Sequence, residues 1–421
     1  MSSDVYIKRL SALHVGPFRS LEVKFSPGIN VIIGPNSCGK STILKTIGMC
    51  FGSDHKDYRL KSESRMATYI RFNHTNFVVG LDQNSFDGNS PYRKTQLRSW
   101  NTPKNIEFDK KGIVSLCSGR FHSHQEFEFS PHGIGPNRFF EYVQINGMVR
   151  EKTRSESIAE YRSQLVNRLR NGKLPSPKQW MINRYFQVDK DWAYELRYNF
   201  ELIMNQLHLL APNSANFKFL RIEKDLEPQF KLNGENIYLE ELSSGFQSIL
   251  SIVFSIVDWI ESTNIEGRQK IDSATGTVLI DEIDAHLHPE WQQTILESLR
   301  KIFPYIQFII TTHSPHIAAT CKMNELIIIP KHNGIVDISP SSKSYSGWAL
   351  DNLLTSLMGL EDTRLDEFNH LYKQIEIAID SVDEKRFLDL LDQLELIVSP
   401  DDPTPQVFRL QFAKQKMKAS K

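Results

Sequence analysis

The chain has 421 residues, of which 40% are hydrophobic and 24% are charged, a composition typical of a soluble globular protein. Fifty Lys and Arg balance fifty Asp and Glu, so composition predicts neither a nucleic-acid nor a membrane partner, and any basic surface has to be local. The sequence has neither an apolar signal-peptide core nor a stretch long enough to cross a bilayer, and its four cysteines form no C-x-x-C pair, so we expect a cytoplasmic protein.

The first predicted elements are a buried strand, Ile29 to Ile33, a glycine-rich loop and a helix that starts at Ser41. The loop reads GPNSCGKST and fits the pattern G-x-x-x-x-G-K-[ST]. Glycines let backbone N–H groups converge on an anion, and the positive end of the helix adds to this. Lys40 would contact the β- and γ-phosphates of ATP, and the Ser41 hydroxyl would bind Mg²⁺. The predicted phosphate-binding residues are Gly34, Asn36, Cys38, Gly39, Lys40, Ser41 and Thr42.

Two regions follow whose patterns indicate structure rather than chemistry. Short alternating runs in residues 56–145, such as TNFVVGLD and HQEFEFS, predict an antiparallel β-layer. His122 and His124 raise a metal hypothesis there, but no Cys or carboxylate cluster completes it, so ordinary histidines are favoured. Residues 150–210 are predicted to be helical, and 150–178 hold eight Lys and Arg against three Glu. This excess fits a solvated helix face or a surface that contacts DNA or a partner.

The sequence LSSG, Leu242 to Gly245, opens an apolar helix. A helix that begins with Ser-Ser-Gly offers hydroxyls and free N–H groups to an anion. Because Lys40 already serves the phosphates of its own subunit, this second helix start makes sense if it binds the nucleotide of a neighbouring molecule. The residues predicted to act in this way are Ser243, Ser244 and Gly245.

A pair of carboxylates follows the next predicted buried strand in the sequence GTVLIDEIDAHLHP. Asp281 would hold Mg²⁺ through its water shell, and Glu282 would orient the attacking water or accept its proton. An aspartate after a strand also serves as a helix N-cap, and the phosphate loop upstream favours the catalytic interpretation. His313 ends the following strand, in IQFIITTHSP, and is predicted to sense the γ-phosphate, with a structural loop histidine as the alternative.

In order and spacing these motifs resemble the ABC-type ATPases of the SMC/RecF class. The stretch DEIDAHLHPEWQQTILESLRKIFPYIQFIITTHSPHI resembles the ATPases of phage-defence systems more closely than it resembles that broader class. Those are the Septu ATPase subunit, which also accompanies some retrons, and the ATPase domain of overcoming-lysogenisation-defect proteins. The resemblance extends over residues 1–55 and 236–335 and is loose elsewhere.

The resemblance implies an α/β fold, namely an ABC-type ATPase head with a mostly parallel sheet between helices. The residue patterns add an antiparallel β-layer, a helical insertion and a C-terminal helical hairpin. The resemblance also implies ATP and Mg²⁺ at head-to-tail interfaces of a homodimer or larger homo-oligomer, with the loop Asp284 to His286 facing the partner subunit. Lys40, Glu282 and His313 would be the catalytic residues.

Two details depart from the family pattern or fit it loosely. The usual signature is L-S-G-G-Q, whereas Ser244 replaces a glycine in this chain and Phe246 occupies the glutamine position, which puts the rate of hydrolysis in doubt more than nucleotide binding. Gln144 is a candidate for the glutamine of the Q-loop because it ends a strand-like run before a helical region.

Four regions are expected along the chain: 1–145 with the phosphate loop and β-layer, 146–235 as helical insertion, 236–340 with the signature, carboxylates and His313, and 341–421 as helical region with a basic tail. In the last region, helical spacing predicts a hairpin from Leu365 to Ile397 whose apolar faces form a core or dock a protein. No acidic cluster follows a strand there, so we expect no nuclease site in this chain.

The favoured function is therefore an ATPase that senses or regulates within an anti-phage complex, with a separate nuclease of the HNH type as partner. Two alternatives remain open. One is a RecF-like repair ATPase that acts directly on DNA, and the other is a nucleotide-gated scaffold that hardly hydrolyses ATP.

Overall fold

The computed structural model describes residues 5–51, 64–72, 75–86, 95–102, 129–140, 142–170, 172–211, 215–360 and 366–419. The chain forms two compact units, Met1–Gly359 and Leu360–Lys421. The metal hypothesis for His122 and His124 lies outside the described residues. No helix in the described ranges has the length and apolarity to span a membrane.

The described residues form strands and α-helices up to Ile338 and helices after it. The strands are β1 (Val5–Val15), β2 (Phe18–Lys24), β3 (Ile29–Ile33), β4 (Arg65–Phe72), β5 (Thr75–Phe86), β6 (Thr95–Thr102), β7 (His132–Ile134), β8 (Phe217–Ile222), β9 (Pro228–Leu232), β10 (Glu235–Tyr238), β11 (Gly276–Ile280), β12 (Ile306–Thr311), β13 (Leu326–Ile328) and β14 (Ile335–Ile338). The α-helices are α1 (Lys40–Phe51), α2 (Arg154–Arg170), α3 (Pro177–Gln187), α4 (Tyr194–Gln206), α5 (Ser244–Thr263), α6 (Pro289–Ile302), α7 (Pro315–Ala319), α8 (Leu350–Met358), α9 (Asp366–Asp380), α10 (Glu384–Ile397) and α11 (Thr404–Ala419).

A parallel sheet in the order β13-β3-β12-β11-β7 forms the centre of the first unit. Strands β3, β11 and β12 are buried along their whole length, as expected for a parallel sheet covered on both faces. Alternate side chains enter different cores. Ile32, Leu279 and Ile309 pack with residues of α1 and β1, while Val31, Val278 and Ile310 pack with residues of α5 and α6. The α/β fold class predicted from the sequence is confirmed.

A second sheet in the order β14-β2-β1-β4-β5-β6 lies in the same unit. Its neighbouring strands are antiparallel except for β14 and β2, which are parallel. Strands β4, β5 and β6 come from the region where alternating runs predicted a β-layer. The prediction of an antiparallel layer is therefore confirmed for the described residues.

The insertion contains more than the predicted helices. Helices α2, α3 and α4 confirm the helical prediction for residues 150–210. They are followed by a three-stranded antiparallel sheet, β10-β9-β8, that was not predicted from the sequence. Its hairpin turns at Asn233 and Gly234, which both have positive φ angles, 52° and 98°. An Asn-Gly pair between apolar runs is a strong local signal for such a hairpin.

The second unit is a three-helix structure rather than a hairpin with a tail. Helices α9 and α10 form the predicted hairpin, and their apolar faces supply most of this unit's core. The segment predicted as a basic tail is instead helix α11. It contributes two buried rings to the same core, with Phe412 stacked on Phe387 at 4.3 Å and Phe408 against Tyr372 at 4.8 Å. Two aromatic residues at i and i+4 were too sparse to reveal this helix among basic residues.

Candidate nucleotide-binding site

The phosphate loop joins β3 to α1 and curls around the Lys40 side chain. The Lys40 ammonium donates hydrogen bonds to the carbonyl oxygens of Gly34 and Pro35, both at 3.0 Å, and the residue is only 5% exposed. Gly39 has a φ of 100°, and a Cβ there would lie 2.4 Å from the Phe18 ring. The loop thus needs glycine for its backbone conformation and for its close packing.

Three carboxylates lie close enough to Lys40 to affect its pKa. Burial lowers the pKa of Lys40, whereas the Cys38 thiol and the nearby acidic groups raise it, the latter being Asp284, Glu282 and Asp281. The strand order explains this proximity, because β3 and β11 are separated only by β12 and all three end at the same edge of the sheet. The structure therefore brings together the lysine and the acidic pair predicted from the sequence.

The acidic pair is held by a threonine from the neighbouring strand. The Thr311 hydroxyl donates to Asp281 Oδ1 at 2.6 Å and accepts from the Glu282 N–H at 2.9 Å. Asp281 is 3% exposed, and Glu282 has a φ of 51°, a left-handed conformation that costs a residue with a Cβ about 1–2 kcal/mol. The N-cap alternative for Asp281 is wrong, since the next α-helix starts at Pro289 and is capped by His288.

His313 lies where the sequence predicted, just after β12. Its backbone N–H donates to Asp284 Oδ1 at 3.2 Å, and the Thr312 hydroxyl donates to the same oxygen at 2.6 Å. His313 is exposed, which leaves its ring accessible at the edge that carries the acidic pair. In the adjacent loop His286 is also exposed, and its ring lies 4.4 Å from that of Phe139.

The serine–glycine signature begins α5. Ser243 is the N-cap residue, yet its side chain accepts no capping hydrogen bond, and both Ser243 and Ser244 are exposed. Gly245 packs so closely on Trp291 that a Cβ would lie 2.5 Å from the indole. Phe246, at the family's glutamine position, is 5% exposed, and its ring centroid lies 5.0 Å from that of Trp291. This departure from the family pattern is thus a core residue.

The predicted site residues differ in their exposure. Gly34, Cys38, Lys40, Gly245 and Asp281 are buried, Gly39, Ser41, Thr42 and Glu282 are half-buried, and Asn36, Ser243, Ser244 and His313 are exposed. The oxygen donors predicted for Mg²⁺, Ser41 and Asp281, suit a hard cation that takes few protein ligands and keeps water and phosphate oxygens in its shell. Among the described residues, no group of three or more His, Cys, Asp or Glu is arranged to hold a metal without such help.

Gln144 was proposed for the Q-loop because it was expected to end a strand, and that premise does not hold, so its role stays a prediction. Gln144 is exposed and follows an irregular segment rather than a strand. The edge strand beside β11 is β7, which ends at Ile134, and four residues later Arg138 donates to the backbone carbonyls of Asp281 and Glu282. Sequence reasoning missed Arg138, because its partners lie far along the chain and its place soon after a strand is only a weak signal.

At least four of the eight basic residues in 150–178 bind groups within the protein. The Arg154 and Arg162 side chains donate to the backbone carbonyls of Thr263 and Phe129. Arg168 is buried over the Tyr161 ring, and Lys178 is buried between Glu227 and Glu240. These interactions favour structural roles over DNA binding for these four residues.

The family described as "AAA domain, putative AbiEii toxin, Type IV TA system" matches residues 29–319, which contain the phosphate loop, the signature, the acidic pair and His313. The chain belongs to this family. It is accordingly a nucleotide-binding ATPase of the P-loop type, as the motifs predicted.

The relatives include proteins of defence systems. The Septu protein PtuA of Bacillus thuringiensis is 27% identical over 415 residues, covering 97% of this chain and 98% of that protein. The "Retron Ec83 probable ATPase" of Escherichia coli is 28% identical over 235 residues, which are 55% of this chain and 41% of the retron protein. Among solved structures, the SMC head domain from Thermotoga maritima is 15% identical, with a TM-score of 0.43 over 80% of this chain and 99% of that one. The resemblance to phage-defence ATPases is confirmed by the first two similarities.

Proposed function

We propose that this family member binds Mg-ATP between two copies of the chain in a head-to-tail arrangement and hydrolyses it. The observation that carries this proposal is the burial of Lys40 at one edge of the sheet. Asp281, Glu282 and Asp284 lie near it there and raise its pKa. An ammonium beside an anion-binding loop and a carboxylate pair is what phosphoryl transfer to water requires.

Each residue of this edge has a distinct task. Lys40 and the amides at the start of α1 bind the β- and γ-phosphates. Ser41 and Asp281 hold Mg²⁺, which supplies charge neutralisation on the phosphate oxygens. Glu282 accepts a proton from the attacking water, and His313 donates a hydrogen bond toward the γ-phosphate oxygens.

The second copy supplies Ser243, Ser244 and the first amides of α5. The first four N–H groups of an α-helix have no acceptor within the helix, and the exposed serines add hydroxyl donors beside them. ATP then links two copies because its γ-phosphate contacts both. Hydrolysis removes that shared contact and loosens the pair.

The biological setting is inferred from the similarity along nearly the whole length of both chains to the Septu protein PtuA. We infer that the chain is the sensing or regulatory subunit of an anti-phage complex. Its effector is a separate nuclease protein of the HNH type, which the ATP-dependent pairing of this subunit controls.

The experiment that tests the proposal compares Lys40→Ala with Lys24→Ala, which removes an exposed lysine from the end of β2. Lys40→Ala is expected to weaken binding of a fluorescent ATP analogue by at least about 100-fold and to abolish protection of cells against phage. Lys24→Ala is expected to leave both unchanged. Nucleotide binding or protection that survives in Lys40→Ala contradicts the proposal.

One specific observation favours a second candidate, a nucleotide-gated scaffold with little hydrolysis. Phe246 fills the family's glutamine position and is packed into the core, so the signature lacks a polar side chain there. Steady-state phosphate release separates the candidates. The ATPase proposal predicts release that Glu282→Gln abolishes, and the scaffold predicts equal, near-zero rates for both proteins.

A further inference from the structure

One buried arginine contacts the site without belonging to any of its motifs. Arg138 follows β7, is 1% exposed and donates hydrogen bonds to five acceptors. They are the carbonyl oxygens of Gly135 at 2.7 Å, Asp281 at 2.5 Å, Glu282 at 2.9 Å and Ile283 at 3.3 Å, and the Ser248 hydroxyl at 3.5 Å. Three of these carbonyls are consecutive and belong to the acidic pair and the residue after it.

The backbone of Glu282 is fixed on both sides by these contacts. Its N–H donates to the Thr311 hydroxyl, and its carbonyl accepts from Arg138. Glu282 has a left-handed backbone that a residue with a Cβ adopts only when its surroundings impose it. Arg138 and Thr311 hold the glutamate in this conformation together with the Ala285 N–H, which also donates to the Glu282 carbonyl at 2.9 Å.

The same arginine contacts the signature helix. Its guanidinium reaches Ser248 in the second turn of α5, and its own carbonyl accepts from the Ser251 hydroxyl at 3.1 Å. Two residues later, the Phe140 N–H donates to Gln247 Oε1 at 3.2 Å. The segment around Arg138 therefore joins the helix that begins with the exposed serines to the loop that carries Glu282.

The chemistry of this contact requires a guanidinium. Burial lowers the pKa of Arg138 to about 10, opposed by the nearby Asp284, Asp281 and Glu282, so the side chain stays charged at neutral pH. Its hydrogen-bond acceptors are neutral carbonyl and hydroxyl oxygens rather than carboxylates. A planar guanidinium has five N–H donors in a fixed fork, whereas a lysine ammonium has three and cannot reach all of these acceptors.

We propose that Arg138 is a positioning residue that couples the signature helix α5 to the catalytic carboxylate Glu282. This proposal rests on the proposed function. A small movement of α5 when its serines meet the phosphate of a second copy is passed through Ser248 and Arg138 to the backbone of residues 281–283. Pairing of the two copies thereby sets the glutamate for attack on the γ-phosphate.

The test uses R138K and compares it with R184K, a change at another buried arginine. Arg184 donates to Glu261 at 2.7 Å near the end of α5 and also pairs with Glu151, so it contacts the same helix but not the loop of the acidic pair. R138K is expected to lower kcat by about 10- to 100-fold, because small displacements of catalytic groups have effects of that size. The KM for ATP and the Kd for a non-hydrolysable analogue are expected to stay within about twofold. R184K is expected to lower the melting temperature without a selective loss of kcat.

A second readout does not depend on activity. Hydrogen exchange of the amides of residues 281–286, measured without nucleotide, is expected to become faster in R138K than in R184K. For R138A, millimolar guanidinium is expected to restore part of the lost kcat, while the same concentration of sodium chloride is not. The rescue holds even when R138A is less stable, since it compares that variant with itself, and hydrogen exchange compares two variants that each keep a charged side chain.

The outcomes separate this inference from the proposed function. If the unchanged protein hydrolyses ATP and Glu282→Gln abolishes hydrolysis, but R138K turns over at the normal rate, the coupling role of Arg138 is wrong and the ATPase proposal stands. A parallel loss of kcat and analogue binding in R138K also overturns it, since that points to a general structural role. If the unchanged protein neither binds nor hydrolyses ATP, the proposed function itself has failed.

Discussion

The two halves of the proposed nucleotide site differ in how completely one chain builds them. Around Lys40 the donors and acceptors are buried and bonded to one another, as with the Thr311 hydroxyl between Asp281 and Glu282. At the start of α5 the serines are exposed, and the N-cap side chain is not used for capping. A half that is organised within the chain and a half that faces outward are what a site completed by a second molecule requires. The comparison can be tested on either half.

The largest effect is expected from Glu282→Gln in the organised half. It removes the proton acceptor but keeps the shape, so kcat should fall by about 100- to 10,000-fold. ATP binding should persist, since Lys40 and the loop are unchanged. Phosphate release and analogue binding measure the two properties separately. Loss of both together would show that Glu282 supports the loop rather than the chemistry.

A smaller loss is expected when the threonine between the carboxylates is changed. Thr311→Val keeps the shape but leaves the Asp281 oxygen and the Glu282 N–H without their partner, so kcat should fall by about tenfold and stability by about 1–3 kcal/mol. Thr294→Val is the control, because the Thr294 hydroxyl only bonds to carbonyls within α6. Kinetics and thermal unfolding of both variants provide the measurement. Equal turnover in the two variants would remove Thr311 from the site.

The outward-facing half is tested by restoring the family's glutamine. Phe246→Gln places an amide in the core beside Trp291, so it should cost about 1–3 kcal/mol of unfolding free energy without raising ATP turnover. Phe246→Met keeps the position apolar and should cost less. Denaturant unfolding and phosphate release decide the matter. Faster turnover at unchanged stability would mean that position 246 belongs to the site and not to the core.

The smallest effect concerns the thiol of the phosphate loop. Burial raises the pKa of Cys38 above its ordinary value of 9.0, so the thiol is protonated at neutral pH. Alkylation by iodoacetamide should be slow at pH 7 and should rise roughly tenfold per pH unit while the pH stays below that raised pKa. Cys38→Ser gives the background, and Mg-ATP should slow the reaction further. Rapid, pH-independent labelling would show that the organised half is not buried.

The contrast between the halves also explains what the sequence could predict. The phosphate loop, the acidic pair and the signature are runs of adjacent residues with a local pattern, and their positions at strand ends and helix starts were predicted from it. Arg138 was missed because its partners lie far along the chain, Ile283 being 145 positions away. No local pattern shows that an arginine will meet three consecutive carbonyls on another loop.

The same reason accounts for the structural differences. Helix α11 was expected to be a tail because the contacts that bury Phe408 and Phe412 are made with Tyr372 and Phe387 of other helices. Those contacts are not visible in the local sequence. In contrast, the Asn-Gly turn of β9 and β10 is a local signal and was available in the sequence. The burial of Phe246 could not be predicted locally either, because its partner Trp291 belongs to α6.

The most direct measurement of the central claim is a mixing experiment with two inactive variants. One carries Lys40→Ala, and the other carries Ser243→Arg with Ser244→Arg, which leaves its phosphate loop intact. If each nucleotide lies between the loop of one copy and the signature of another, mixed pairs contain one complete site, and the mixture should regain about a quarter of the normal ATPase rate. A mixture that stays as inactive as each variant alone would contradict a site shared between two copies.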